Sequence, residues 1–338
     1  MKKVSLAMAG LLIAATAPFA AAQKLNACGA TFPDPIYEKW FSDYGKAHKG
    51  VRINYQPNAS GAGVKGVQDG TVDFGASDMP MTPEEMAAVK GKKILHFPTV
   101  MGAVVPIYHI DGVTQELKFT PEVLAGIFLG TINKWSDKRL AADNPGVKFP
   151  NEDIVVVHRT DSSGTTFVWT DYLSKVSPEW KSKVGAAKAV SWPTGQAGPQ
   201  SAGVTGLVKQ MPNSIGYVEL IYALQNKMGY GLVKNSSGNF IKASIESVSE
   251  AAASAVKEMP ADFRVSITNA PGKNAYPVST FTWLLIPDKF EDKAKGAVVK
   301  AFLQWMLADG QKDCAALQYA SLPKAVVAKE AQQIAQIQ

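Results

Sequence analysis

Three short segments share a design that suits the capture of an anion. They are Gly29-Ala30-Thr31-Phe32-Pro33, Asn58-Ala59-Ser60-Gly61-Ala62-Gly63 and Arg159-Thr160-Asp161-Ser162-Ser163-Gly164-Thr165. Each ends a short strand-like run, carries small or hydroxyl residues, and opens a run with helical spacing. A helix N-terminus leaves backbone N–H groups unpaired and carries partial positive charge. Small residues let those groups approach a ligand, and Ser and Thr add hydroxyl donors. One such segment alone is an ordinary helix cap. Three that converge with an arginine make an anion cradle. Arg159 supplies a planar, permanently charged fork. Asp161, two residues on, either holds that arginine or caps the following helix. Asp78 comes straight after the strand-like Val72–Ala76. It either caps the turn before Met79-Pro80 or faces the ligand. A carboxylate facing an anion is repulsive unless the anion brings a proton to share, so this position would select protonated oxyanions.

Other chemistries find less support. The four histidines, His48, His96, His109 and His158, form no metal-binding motif, and no G-x-S-x-G elbow occurs. His158 lies near Ser163 in sequence, but alternation along a strand sends its side chain to the face opposite Arg159. Gly61-Ala62-Gly63-Val64-Lys65-Gly66 matches G-x-G-x-x-G, yet the preceding strand is polar on alternate residues and Asp78 lies too near for a ribose acid. That match is coincidental. No metal or cofactor is expected.

The elements that must position these residues alternate between strand and helix. Strands are expected over Lys24–Ala30, Val51–Tyr55, Val72–Ala76, Leu95–Pro106, Ile154–Val157, Ser214–Val218 and Thr280–Ile286. Helices are expected over Pro35–Lys46 and Gly61–Asp69, after Thr120, after Asp161, and on each side of Leu322-Pro323. Pro193 to Gly206 reads as a surface loop by composition. The alternation predicts an α/β protein with mostly parallel pairing.

Lys2 and Lys3, an apolar stretch from Leu6 to Phe19, and Ala20–Ala22 predict a signal peptide cleaved near Ala22. Leu25-Asn26-Ala27-Cys28 is not read as a lipoprotein box, because Lys24 interrupts the apolar run. The chain of 338 residues carries a net charge of +6 with no basic block, so nucleic acid is not implied as a partner. Cys28 and Cys314 sit at opposite ends of the exported chain. Export permits a disulfide, and two separate buried thiols are the other reading.

At these loops the sequence resembles the phosphate-binding protein of the high-affinity bacterial phosphate ABC transporter. Gly29–Pro33, Thr71-Val72-Asp73-Phe74-Gly75-Ala76-Ser77-Asp78 and Arg159–Phe167 carry the likeness. Leu129-Gly130-x-Ile132-x-Lys134-Trp135, Ile215-Gly216-Tyr217-Val218-Glu219 and Tyr319-Ala320-Ser321-Leu322-Pro323 extend it. The chain departs from the family in having Ser60-Gly61-Ala62-Gly63 where Ser-Ser-Gly-Gly is frequent, and Ser162 where Gly is common. The resemblance implies a two-domain periplasmic-binding-protein fold of type II, with mixed, mostly parallel sheets flanked by helices and the ligand in the interdomain cleft. It implies domain I over residues 23–97 plus 277–338 and domain II over 98–276. The phosphate-binding residues it implies are Thr31, Phe32 through its backbone N–H, Ser60, Asp78, Arg159, Ser163, Gly164 and Thr165, with Asp161 orienting Arg159. Cys28 and Cys314 then share a domain, which favours their disulfide. The implied role is capture rather than catalysis, by a periplasmic monomer that delivers inorganic phosphate to inner-membrane permease subunits. Binding of another tetrahedral oxyanion, or hydrolysis of phosphate esters by an exported enzyme, are the alternatives.

Overall fold

The structure, a computed structural model, describes residues 23–256 and 259–338. The expected signal peptide, residues 1–22, lies outside them. The chain begins with β1 (Gln23–Gly29), α1 (Asp34–Ala47), β2 (Val51–Gln56), α2 (Ser60–Asp69), β3 (Phe74–Ser77) and the short α3 (Pro83–Ala87). The long β4 (Ile94–His109) leads into β5 (Lys118–Phe119), α4 (Pro121–Leu129), α5 (Lys138–Asp143), β6 (Val155–Arg159), α6 (Gly164–Val176) and α7 (Pro178–Lys183). Next come β7 (Gln196–Gly198), α8 (Gln200–Gln210), β8 (Ser214–Glu219), α9 (Leu220–Gln225) and the small strands β9 (Gly229–Tyr230), β10 (Leu232–Lys234) and β11 (Phe240–Ile241). The chain closes with α10 (Ile245–Val256), β12 (Ser279–Pro287), α11 (Lys293–Ala308) and α12 (Lys324–Gln333).

Among the described residues nine strands form one sheet in the order β2-β1-β3-β12-β4-β8-β6-β7, with β9 beside β4; β11, β10 and β5 form a second. The first group, β1 with β2 and β3, is parallel, and so is β6 with β7 and β8. Between them β12 runs antiparallel to both β3 and β4, and β4 antiparallel to β8. The α/β class and mixed sheet are as the sequence implies. The weight of antiparallel pairing at the centre is not visible in strand–helix alternation, because β12 returns from a distant part of the chain to insert between β3 and β4.

Each group is built by local rules. In α1, Ile36, Tyr37, Trp40, Phe41 and Tyr44 share one buried face, and Pro35 opens the helix where its missing N–H costs nothing. Trp40 donates its indole N–H to the Gly310 carbonyl at 2.8 Å, tying α1 to the C-terminal segment. In α2, a side chain at Gly63 would meet the backbone N of Ala76 at 2.9 Å, so glycine lets this helix lie directly on the strands. Strand β4 is apolar and buried for most of its length and serves both groups. Residues Ile94–Ala103 pair with β12, and Val104–His109 pair with β8. Its ladder with β12 slips between Thr282 and Trp283, where Pro98 stands opposite Trp283 and Val100 opposite Thr282. Proline has no N–H for the ladder, and the extra residue, Thr99, is left to bulge.

Two expectations change. The stretch from Pro193 to Gly206 is a surface loop only at its start: it goes on to form β7 and the start of α8, and Ser201, Val204 and Thr205 are buried. Its Gly, Ser and Thr content lets α8 pack closely against β6 and β8 rather than keeping it in solvent. Cys28 and Cys314 are both free and buried, so the expected disulfide is not formed. Strands β2 and β3 lie on opposite sides of β1, so right-handed crossovers put α1 and α2 on opposite faces of the sheet. Cys28 points to the α2 face, with its sulfur 3.5 Å from the Ala62 carbonyl. Cys314 follows α11, whose Phe302 and Trp305 rings pack on Tyr44 of α1. The sheet stands between the two thiols. Protein isolated without reductant should therefore show two free thiols by mass spectrometry. They should label with a thiol reagent only after unfolding, and a mass lower by two hydrogens would contradict this arrangement.

Candidate functional site

The loop ends named in the sequence meet at one place. Thr31 follows β1, Ser60 opens α2, Asp78 follows β3, Arg159 ends β6, Ser163 caps α6, and Gly164 and Thr165 form the first turn of α6. The Ser60 hydroxyl oxygen accepts from the backbone N–H of Asp78 at 3.2 Å and of Gly164 at 3.0 Å. Its own proton is left for the Asp78 carboxyl or for a bound acceptor. Thr165 donates to Asp78 at 3.4 Å. Ser163 accepts from the backbone N–H of Thr166 at 3.1 Å, an N-cap bond that fixes the start of α6 and leaves the hydroxyl proton free. The carbonyls of Thr31 and Phe32 accept from Tyr222 and Tyr319 at 2.7 Å each, which sets the orientation of that turn.

Arg159 is 4% exposed. Its Nε donates to Asp161 at 2.8 Å, Nη2 donates to the second oxygen of the same carboxylate, and Nη1 donates to the Ser201 hydroxyl at 3.3 Å. One N–H is left on each Nη, so the guanidinium keeps two donors for a further acceptor. Burial works against charge on Asp161, but the bonds and charge of Arg159 and the N–H of Gln200 outweigh it and keep the carboxyl below its usual value. The guanidinium is thus neutralised before any ligand arrives.

Asp78 is 1% exposed. Burial pushes its carboxyl up to about 7, against the hydrogen bond from Thr282, the charge of Arg159, and hydrogen bonds with Thr165 and Ser60. Thr282 donates to Asp78 at 2.9 Å from β12, next to the bulge at Thr99. His158 stacks on Trp192 with ring centroids 4.7 Å apart, and its Nδ1 lies 3.2 Å from the Arg159 carbonyl. Burial lowers its proton affinity. That environment gives it no role as a base for Ser163. Among the described residues, no group of three or more His, Cys, Asp or Glu side chains could hold a metal ion.

Sequence reasoning missed three polar residues here. Ser201, fully buried, joins Arg159 to Thr31, whose hydroxyl is 2.9 Å away. It was hidden in the stretch read as a surface loop, although a serine just inside a helix start is a legible signal. Thr282 is a hydroxyl between Phe281 and Trp283 in a fully buried strand. Glu219, also fully buried, accepts from the Ile221 N–H at 2.7 Å, and burial pushes its carboxyl well up.

The profile of the PBP superfamily domain matches residues 14–310. The phosphate-binding protein PstS of Pasteurella multocida is 42% identical over 309 residues, covering 91% of this chain and 89% of that one. PstS of Haemophilus influenzae is 41% identical over 319 residues and covers 94% of each chain. The chain belongs to the PstS family. The solved structure of a phosphate-binding protein from Stenotrophomonas maltophilia shares the fold, with a TM-score of 0.71 at 20% identity over 92% of this chain and 93% of that one.

Two tests follow from the geometry. A side chain at Gly164 would lie 2.7 Å from the Asp78 Cβ and 2.8 Å from its backbone N, so Gly164→Ala must push the two loops apart. At an overpacking cost of about 1–3 kcal/mol, ligand affinity measured by calorimetry should fall roughly 5- to 150-fold. Gly206→Ala, which would meet nothing within 4 Å, should leave affinity unchanged. An equal response of the two would count against the close loop contact. The second test is pH dependence. An acid whose folded pKa is raised keeps its proton in the native state after the unfolded chain has lost it, so stability falls as pH rises through that window. Here the window runs from 3.8 to about 7. In urea melts of ligand-free protein, wild type should lose stability relative to Asp78→Asn across it, by at most about 1.4 kcal/mol per pH unit. The difference should be flat above it. A difference constant throughout would show that Asp78 titrates normally.

Proposed function

We propose that this chain captures inorganic phosphate outside the cytoplasm and delivers it to an ABC transporter in the inner membrane, without catalysing a reaction on it. The observation that carries the reading is Asp78, a buried carboxylate placed among hydrogen-bond donors that would otherwise suit any tetrahedral anion. The name of the relatives supports phosphate as the ligand, and the segment at residues 1–22 supports export. Thr31, the Phe32 N–H, Ser60, Arg159, Ser163 and the Thr165 N–H are the donors in this reading, Gly164 lines the site with its own N–H given to Ser60, and Asp78 is the one acceptor. A monomer suffices, since every group named lies in one chain.

Domain I in this proposal is residues 23–97 plus 277–338 and domain II is 98–276, so the chain crosses once within β4 and once in the segment that leads into β12. The two then touch through the Gly61 N–H and Ser162 carbonyl at 2.8 Å, the Gln200 side chain and Pro57 carbonyl at 3.0 Å, and the Lys188–Glu85 ion pair. That is a closed conformation. Closing excludes water and strengthens each charge-assisted bond.

Selectivity depends on where the proton sits. With Asp78 ionised, a phosphate O–H can donate to it, whereas sulfate presents a lone pair to a lone pair. With Asp78 protonated, its own O–H can donate to sulfate, and discrimination weakens. Sites built on a hydrogen bond reject an analogue that lacks it by roughly 10⁴-fold or more. Calorimetric titration of phosphate-stripped protein at pH 8 should give tight binding of phosphate and weak binding of sulfate by about that factor. The gap should narrow as pH falls below about 7, where Asp78 takes up its proton. Asp78→Asn, whose amide can donate, should bind sulfate better at pH 8 while phosphate changes much less. Equal affinities for the two anions in wild type at pH 8, or a ratio unmoved by the substitution, would sink this account.

A further inference from the structure

Ser201 stands at a junction that the anion-binding loops do not by themselves require. It lies at the second residue of α8, its side chain fully buried, with its hydroxyl 3.3 Å from Arg159 Nη1 and 2.9 Å from the Thr31 hydroxyl. The residue before it, Gln200, holds a left-handed backbone at φ 57°. Its N–H donates to Asp161 at 3.0 Å and its side-chain amide to the Pro57 carbonyl at 3.0 Å. A left-handed glutamine is costly and persists only when its surroundings hold it. The start of α8 therefore grips Arg159 twice, through Asp161 on one edge of the guanidinium and through Ser201 on another.

We propose that Ser201 is a positioning residue for the bound anion: it accepts an N–H of Arg159, donates its own proton to Thr31, and so leaves the Thr31 hydroxyl to donate into the cleft. The inference rests on the phosphate reading above. Hydrogen counting carries it. Arginine can only donate, so the Ser201 oxygen is an acceptor toward Nη1. Between them the two hydroxyls own two protons, and the bond joining them uses one. The other must point elsewhere. An oxygen already accepting from a guanidinium is a poorer acceptor for a second bond, and its O–H is a better donor. The shared proton therefore comes from Ser201, and the free one belongs to Thr31. Arg159 then acts on the anion by two routes, directly through its free N–H pair and through a chain of two polarised hydroxyls. The chain also spans the two proposed domains, since Thr31 follows β1 and Ser201 lies on α8, so it is completed only on closure.

A double-mutant cycle reads this out. Wild type, Ser201→Ala, Thr31→Val and the double variant are titrated with inorganic phosphate, and the urea midpoint of each is measured without phosphate. Ser201→Ala should weaken phosphate binding about tenfold, the scale of one hydrogen bond near a charge. In the Thr31→Val background the same change should cost less than about twofold, because the relay has no far end. Ser201→Cys, which fills the space with a poor acceptor, should repeat the loss and serves where Ala misfolds. Ser201→Ala should lower the ligand-free midpoint in both backgrounds, because Arg159 loses an acceptor; a purely structural serine would also give the same fold-change in affinity in both, and that result overturns the proposal. So does unchanged affinity in Ser201→Ala. Wild type that fails to bind phosphate overturns the functional reading and this inference with it. Wild type that binds, with independent effects of the two substitutions, overturns this inference alone.

Discussion

A guanidinium cannot shed its charge, so burying Arg159 obliges the fold to surround it with acceptors in a fixed geometry. Much of the site follows from meeting that demand. Asp161 is two residues away and takes one edge of the fork. The start of α8 supplies the Gln200 N–H that steadies Asp161 and the Ser201 oxygen that takes another N–H. The price of desolvating the charge is large if any of these is missing, because an uncompensated buried charge costs several kcal/mol. The arginine is therefore held ready, and a ligand meets N–H groups that need little reorganisation.

The scaffold explains why these groups can meet. Three of the loops follow β1, β3 and β6, strands of the two parallel groups, so helix N-termini gather at corresponding edges of the sheet. The two groups are joined through β4 and β12, which run antiparallel to their neighbours and to each other. A proline-driven slip in that ladder sits beside Thr282, the residue that donates to Asp78. Strand pairing and ligand chemistry meet at one position, so movement about these strands would be felt at the carboxylate.

The sequence revealed what is local and concealed what is distant. The Arg159–Thr165 segment is legible because cap, fork and helix start lie within a few residues of one another. So are Thr31, Ser60 and Asp78, each in the turn that follows a short strand. Ser201 and Thr282 were not, because their roles depend on partners far away in the chain: Thr31 lies 170 residues from Ser201, and Asp78 lies 204 residues from Thr282. Composition misled at Pro193–Gly206, where small polar residues serve close packing instead of solvent exposure. The cysteines misled for a related reason. Sharing a proposed domain says nothing about which face of the sheet each thiol occupies, and strand order decides that.

The side chains at this site do not supply a surplus of positive charge. Asp161 offsets Arg159, Asp78 adds a carboxyl, and Glu219 is a second buried acid whose ionisation the charge of Asp78 makes more costly still. An anion that enters must be held by dipoles: backbone N–H groups at the start of α6, hydroxyls, and the free edge of an already neutralised arginine. Dipoles have direction, and a carboxyl that must share a proton has direction too. A site made mainly of charge would attract any oxyanion and would weaken strongly with salt. A site made of oriented donors around one acceptor reads where the protons of its ligand are. In the proposed phosphate site the buried acids are therefore part of recognition: they remove the unselective attraction and leave geometry and protonation to decide what stays bound.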